Sequence, residues 1–319
     1  MPISSVDEEK KSKVEMVTYG KLTWVYIENP SAPEVEYLAQ HFHNFHPLNL
    51  DDVLSRVQRP KIDGYGDHLF IVLHFPVFNK QNRVTTPSEV DIFIGEDYVV
   101  TVHCSGDLKP LAKFFKECQL DEETRKNYMG RSSSYLLYYI LDRLVNYCFP
   151  ILNKIIDNID KLEDLIFARP VPETVRQISL IRRDLISFRR VVHPQVGVFE
   201  ALEQKEYPFI KEDQEAYFGD IADHARKIWD GLEDCKEVVD GLAETSNWLT
   251  SHRIQEIMRV LTIVMALLAP GTLVASIYGM NVPLPGGQQG SLLPLAGLFF
   301  VMLGIAVAML FFFRRRHWL

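Results

Sequence analysis

Along the last third of the chain, Glu244, Asn247, Ser251, Gln255, Met258, Leu261, Met265, Ala269, Thr272 and Ser276 recur at intervals of three and four residues. That spacing puts side chains on one face of a helix. Just beyond the stripe come Gly279, Met280 and Asn281. The stripe is polar near both ends and apolar in the middle. Neutral amide and hydroxyl oxygens can hold a cation that keeps its water shell, by hydrogen bonds from the waters rather than by direct ligation. Met258 and Leu261, between the polar ends, would by themselves read as core packing; aligned with Asn281 on a pore-lining face they would make a hydrophobic constriction of the kind that closes by dewetting. No nucleophile elbow, P-loop or HExxH is present, so the sequence supports neither catalysis nor direct ATP coupling.

The elements that carry these residues follow from the distribution of charge. The 319-residue chain has 34 Lys and Arg, 42 Asp and Glu, 10 His and a net charge of -8. Not one of these side chains falls in Val260–Phe313. A bilayer core of ~30 Å needs ~20 apolar residues per helical crossing, so this run accommodates two crossings and a connector. The first is VLTIVMALLAPGTLVASIYGM, Val260 to Met280, and the second is LLPLAGLFFVMLGIAVAMLFFF, Leu292 to Phe313. Between them Pro283, Pro285, Gly286 and Gly287 stop a helix. Arg314, Arg315 and Arg316 follow the second crossing, Arg253 and Arg259 precede the first, and the connector has no basic residue. The positive-inside rule then places both chain ends in the cytoplasm. Pro270-Gly271 would bend the first crossing, either toward lipid or along a pore; a single hairpin is too small to enclose an ion path, so conduction requires several copies.

The acidic balance excludes a nucleic-acid partner, which would call for a basic stripe. Cys104, Cys118, Cys148 and Cys235 form no CxxC pair, so neither a disulfide framework nor a zinc ribbon is expected. The polar start MPISSVDEEKKSKVE lacks the apolar core of a signal peptide. Upstream of the membrane run, residues 1–128 read as mixed α/β. Strands are expected at Leu22–Ile27, Leu69–Val77, Val90–Ile94 and Tyr98–His103, and helices at Ala32–Phe45 and near Leu108–Cys118. Residues 129–211 read as antiparallel cytosolic helices, one running from Ser132 to Phe167 and one from Glu173 to Gln204. A third helix starts near Glu212 and carries Tyr217, Ile221, Ala225, Ile228, Leu232, Cys235, Val239 and Leu242 at coiled-coil spacing. Such a seam packs against the chain's own helices or against other copies. No Gly or Pro cluster separates it from the membrane run, so a stalk over 212–259 continues into the crossing at 260–280, ~100 Å in all at 1.5 Å per residue. Residues 281–291 form the outer loop, 292–313 the second crossing and 314–319 a basic tail. Glu200–Glu244 holds 14 acids against 5 bases; this is an exposed helix face that would also concentrate cations near a membrane entrance.

Tyr278-Gly279-Met280-Asn281, set after the first of two C-terminal crossings and followed by a basic end, is specific. The sequence resembles the CorA superfamily of divalent-cation channels over nearly its whole length. Supporting segments are HPLNLDDVLSRVQRPKIDGYGDHLFIVL (His46–Leu73), EVDIFIGEDYVVTVH (Glu89–His103), YFGDIADHARKI (Tyr217–Ile228) and MRVLT (Met258–Thr262). The resemblance implies an α+β membrane protein: a homopentameric funnel with a cytosolic α/β/α domain and a long stalk helix continuous with a pore-lining first crossing. It places a selectivity ring of Mg2+-solvating amides at Asn281, supported by Gly279 and Met280, and a gate at Met258 and Leu261. Further rings fall at Gln255, Thr272 and Glu244. Asp220 matches a position that binds regulatory Mg2+ between neighbouring cytosolic domains, with Glu89 or Asp91 as candidate partner acids.

Two departures bear on ion choice. Gln255 and Glu244 stand where the family often has Asn and Asp, and the connector VPLPGGQQG carries no acid. The zinc-transporting ZntB branch also has a modified loop. The expected activity is therefore Mg2+ uptake across the inner or plasma membrane with Co2+ or Ni2+ as further cargo, and the alternatives are a Zn2+ transporter, proton-coupled or not, and a non-conducting membrane-anchored scaffold. No organic cofactor is implied. His41, His43 and His46 lack the carboxylate or Cys partners of a zinc site.

Overall fold

The computed structural model describes residues 13–55, 58–79, 84–104, 108–168, 172–211, 213–280 and 293–316. They divide into two compact units, Met1–Ala243 and Glu244–Leu319.

The first unit is built on a six-stranded sheet. Its strands are β1 (Val14–Tyr19), β2 (Leu22–Glu28), β3 (Lys61–Gly64), β4 (His68–Asn79), β5 (Val84–Gly95) and β6 (Tyr98–His103), in the order β1-β2-β6-β5-β4-β3. All neighbours are antiparallel except β2 and β6. The β1–β2 hairpin turns at Gly20, whose φ of 62° is left-handed and is adopted without strain by glycine. The parallel β2–β6 pair closes over the long excursion through α1 (Ala32–His41), α2 (Pro47–Leu54) and β3 to β5.

Alternation along the strands gives the sheet two buried faces. Val25, Ile27, Phe70, Val72, Phe93, Val100 and Val102 pack against Leu38, Phe45, Leu50 and Val53 of α1 and α2. On the other face Trp24 lies edge-on to Phe114 and Phe115 of α3 (Lys109–Leu120), at 5.2 and 5.1 Å between ring centres, and donates from Nε1 to Thr101 Oγ1 at 3.0 Å. Helices α5 (Ser133–Asn146) and α7 (Pro172–Gln204) also pack on the sheet. The result is the expected α/β/α layering.

Several expectations are refined. The stretch Ala32–Phe45 is a helix only to His41, and a second helix begins at Pro47, where His46 accepts from the Leu48 N–H. The Ser132–Phe167 run is two helices, α5 and α6 (Cys148–Ala168), parted at Tyr147; Pro150 sits in the first turn of α6, where a missing N–H costs nothing. β1, β3 and the short α4 (Glu122–Met129), capped by Asp121 on the Thr124 N–H at 2.9 Å, were not anticipated. Helix α8 runs from Gln214 to Tyr278. Its heptad-like seam from Ile221 to Leu242 is buried within the first unit, so it packs on the chain's own helices. None of the four cysteines forms a disulfide among the described residues.

One buried polar group stands out on the α1/α2 face. Asp91 is 4% exposed and its Oδ1 has no partner among the described residues. Burial, reinforced by the nearby Glu89 and Asp52 carboxylates and opposed by Lys61, holds its pKa well above the usual carboxylate range.

Two outcomes follow. Trp24→Ala removes a wholly buried indole and should cost about 3–5 kcal/mol, read as a lower urea midpoint of the first unit. Native Asp91 keeps a proton that the unfolded chain releases, so its contribution is fully present below the unfolded pKa of ~4 and is lost as pH rises through the native value. Asp91→Asn should therefore raise the midpoint at neutral pH and flatten its fall with pH; an unchanged pH profile would contradict the assigned protonation.

Candidate functional site

Two constellations could hold a cation. The first is the stripe on α8. In the second unit, Glu244, Asn247, Ser251, Gln255, Met258, Leu261, Met265, Ala269, Thr272 and Ser276 are all exposed, with Met258 at 53% and Leu261 at 48%. The covered positions are different ones: Ile263 is 5% exposed, and Ala266, Leu267, Pro270, Gly271 and Val274 are partly covered. At 3.6 residues per turn these fall on the side of the helix opposite the stripe. They face α9 (Leu293–Arg315), whose own less exposed residues are Met302, Ala306, Met309 and Phe313. A Cβ added at Gly271 would stand 3.1 Å from Met302 Cε, which marks where the two helices meet. The residues singled out from the sequence thus share a face that the chain itself leaves open.

Local backbone chemistry shapes that face. Pro270 has no N–H to give the Ala266 carbonyl. Two residues on, the Thr272 hydroxyl donates to the carbonyls of Leu268 at 3.1 Å and Ala269 at 2.9 Å. Thr262 Oγ1 donates to the Met258 carbonyl at 2.7 Å. The helix closes with Gly279 N–H on Ala275 O at 2.9 Å and Met280 N–H on Ile277 O at 3.3 Å. A Cβ at Gly279 would approach the Ala275 carbonyl to 3.2 Å, so a side chain there would press on the closing turn. Asn281 and the connector 281–291 lie outside the described residues.

The second constellation lies in the first unit. Asp142 of α5 and Asp220 and His224 of α8 bring carboxylate and imidazole ligand atoms within 4.8 Å of one another. Asp220 and His224 are one turn apart, with Nε2 3.8 Å from Oδ1. Tyr138 donates to Asp220 Oδ2 at 3.4 Å and Asn146 to Asp142 Oδ1 at 2.7 Å. Burial raises the Asp142 pKa, opposed by the His224 charge and the Asn146 hydrogen bond. Burial and the two nearby aspartates push the Tyr138 phenol up to about 12. His224 Nδ1 is buried without a partner among the described residues. Two carboxylates and one imidazole form a donor set that fits a divalent cation, and the imidazole suits Co2+, Ni2+ or Zn2+ better than Mg2+.

Asp220 was anticipated from the sequence; Asp142 and His224 were not. The Asp-x-x-x-His spacing of Asp220 and His224 was the available signal, whereas Asp142 comes from another helix. Within the chain, Glu89 and Asp91 do not join this group. Glu89 Oε2 accepts from the Gln58 N–H at 2.8 Å and is 3.0 Å from His74 Nε2, while Asp91 is enclosed on the sheet. Of the three early histidines, His41 Nδ1 bonds to Tyr37 O and His46 caps α2, so both have local structural roles.

Comparison with known proteins places this architecture. The family model for the CorA-like Mg2+ transporter protein matches residues 19–315. The cobalt/magnesium transport protein CorA of Thermotoga maritima is 31% identical over 303 residues, covering 93% of this chain and 83% of that one. The zinc transport protein ZntB of Yersinia pestis is 24% identical over 301 residues, covering 93% and 88% respectively. The complete structure of the CorA magnesium transporter from Methanocaldococcus jannaschii superposes with a TM-score of 0.81 at 22% identity, covering 95% of this chain and 94% of that one. The chain therefore belongs to the CorA family of divalent-cation transporters.

Proposed function

We propose that the protein is a homopentameric channel for hydrated Mg2+, with Co2+ or Ni2+ as further cargo. The carrying observation is the continuous exposed stripe of α8, set opposite the face that meets α9. Copies arranged about an axis with the stripes inward would bury it and line a path with Glu244, Gln255, Met258, Leu261 and Thr272. In this reading residues 260–280 and 292–313 cross the membrane and both termini are cytoplasmic. α8 contains a stretch long and apolar enough for a crossing, almost none of it covered by the chain. At the outer mouth Asn281, turned by Gly279 and anchored by Met280, accepts hydrogen bonds from the ion's first-shell waters. Met258 and Leu261 close the path when the helices approach, because water leaves a narrow apolar constriction.

Cytosolic divalent cations bound at Asp142, Asp220 and His224 provide feedback, neutralising a local excess of carboxylates and holding the closed arrangement. Of the two acids expected to meet Asp220 in a neighbouring copy, Glu89 is partly exposed and stays the candidate, whereas Asp91 is 4% exposed and enclosed on the sheet. A Zn2+ transporter is the rival reading. It is favoured by the ZntB relative and by the acid-free connector.

Flux of Mg2+, Co2+ and Zn2+ into liposomes separates these readings. Asn281→Ala should cut Mg2+ flux by about tenfold, equivalent to ~1.4 kcal/mol; undiminished flux removes the Asn281 ring, and Zn2+ flux exceeding Mg2+ flux in the parent protein selects the rival. Asp220→Lys should raise the internal Mg2+ concentration needed for half-inhibition by about tenfold, while an unchanged inhibition curve would remove feedback from this site.

A further inference from the structure

Between the far end of the β4–β5 hairpin and the α6–α7 pair, two adjoining cavities of about 390 and 560 Å³ share Phe78, Lys154, Asn158 and Asp184. We propose that this groove binds an amphiphilic organic anion, an aliphatic or aromatic body bearing one anionic head group. The walls are apolar and only partly covered: Val77, Phe78, Ile151, Leu180 and Ile181 line them, and Leu165 at one end is 47% exposed. Their combined size is within the 300–1,000 Å³ typical of small-molecule sites.

The polar groups of the groove carry the sign of the ligand. Lys109, Lys154 and Lys161 line it, and none makes an ion pair among the described residues. Lys61, Arg143, Arg182, Arg189, Lys211 and Arg226 are paired with carboxylates, whereas Lys116, Lys126 and Lys227, like the groove lysines, have no ion pair among the described residues. Lys154 Nζ lies 4.1 Å above the centre of the Phe78 ring, so its ammonium rests on the apolar wall, and its stem extends that wall. The one acid in the lining, Asp184, is buried and accepts the Thr85 N–H at 2.5 Å. One of its oxygens is thus held by the hairpin backbone, and among the described residues the acids of α6 do not line either cavity. Three unpaired ammonium groups beside an apolar trough complement a negative head on an apolar body. An inorganic anion would leave the trough wet, and a neutral apolar molecule would leave the lysines without a counter-charge.

The test uses the full-length protein in zwitterionic-lipid nanodiscs, with empty nanodiscs as the reference. The probe is 8-anilinonaphthalene-1-sulfonate, whose fluorescence rises in apolar surroundings; decanoate serves as competitor and N-phenyl-1-naphthylamine as the uncharged counterpart. Saturable binding of one sulfonate per subunit is expected, displaced by decanoate. The double variant Lys154→Gln with Lys161→Gln, both exposed positions, should keep the far-ultraviolet circular dichroism and bind the sulfonate about tenfold more weakly. The uncharged amine should show no difference between parent and variant. Equal sulfonate affinity in parent and variant, or decanoate failing to compete, overturns the proposal. Because the readout is binding, neither result depends on whether the protein conducts Mg2+.

Discussion

The close approach of Met302 to Gly271 orients the two helices of the second unit; in the proposed reading both cross a bilayer. Two apolar helices gain little from hydrophobic burial when the surroundings are as apolar as they are, and close approach at a small residue supplies the packing instead. With Gly271 against Met302, the rotation of α8 about its axis is set: Ile263, Pro270 and Val274 turn toward α9, and Met258, Leu261 and Thr272 turn away. Had α9 packed on the opposite side, Met265, Ala269 and Thr272 would be covered by the chain's own second helix, and that part of the proposed inward face would be lost to other copies. The stripe acquires meaning from that contact more than from the identity of any one residue in it.

The first unit solves a different problem, keeping many like charges on one helix. α8 is stitched to α7 by Arg226 on Glu200 and Glu203, Arg189 on Glu233 and Arg182 on Asp240. These are mostly exposed pairs, individually of small worth, yet together they set which acids are engaged. Among the described residues Asp220 and Asp142 form no ion pair with an arginine or lysine; their hydrogen-bond and charge contacts include Tyr138, Asn146 and His224. A divalent cation at the proposed site would therefore compete with Tyr138, Asn146 and His224, whereas at Glu233 or Asp240 it would have to displace a guanidinium. The same helix thus carries acids with structural duty and acids held available.

Much of this was legible in the sequence, and the failures have physical causes. The central strands β4, β5 and β6 announced themselves because strands buried on both faces read as continuous apolar runs. The edge strands β1 and β3 did not, since their exposed side is polar and their pairing rather than their pattern makes them strands. The seam from Ile221 to Leu242 had the spacing of a coiled coil, but spacing cannot tell a partner on the same chain from one on another. The α8 stripe was readable because a single helix supplies it. In the Asp142, Asp220 and His224 group, Asp220 and His224 are legible by their one-turn spacing, but Asp142 comes from α5, 78 residues before Asp220, and only the packed fold brings it in.

The Thr272 hydroxyl has only one proton, and that proton is spent on the backbone carbonyls of the preceding turn. What it can turn outward is lone pairs alone. Waters around a cation point their hydrogens away from the ion and need acceptors, while an anion and its shell need donors. In the proposed pore a ring of such hydroxyls would then discriminate by the polarity of hydration: the shell of a metal ion is welcomed and a chloride finds nothing to bind. Charge sign would be read there without a formal charge, in a stretch of helix where a carboxylate would be costly to bury.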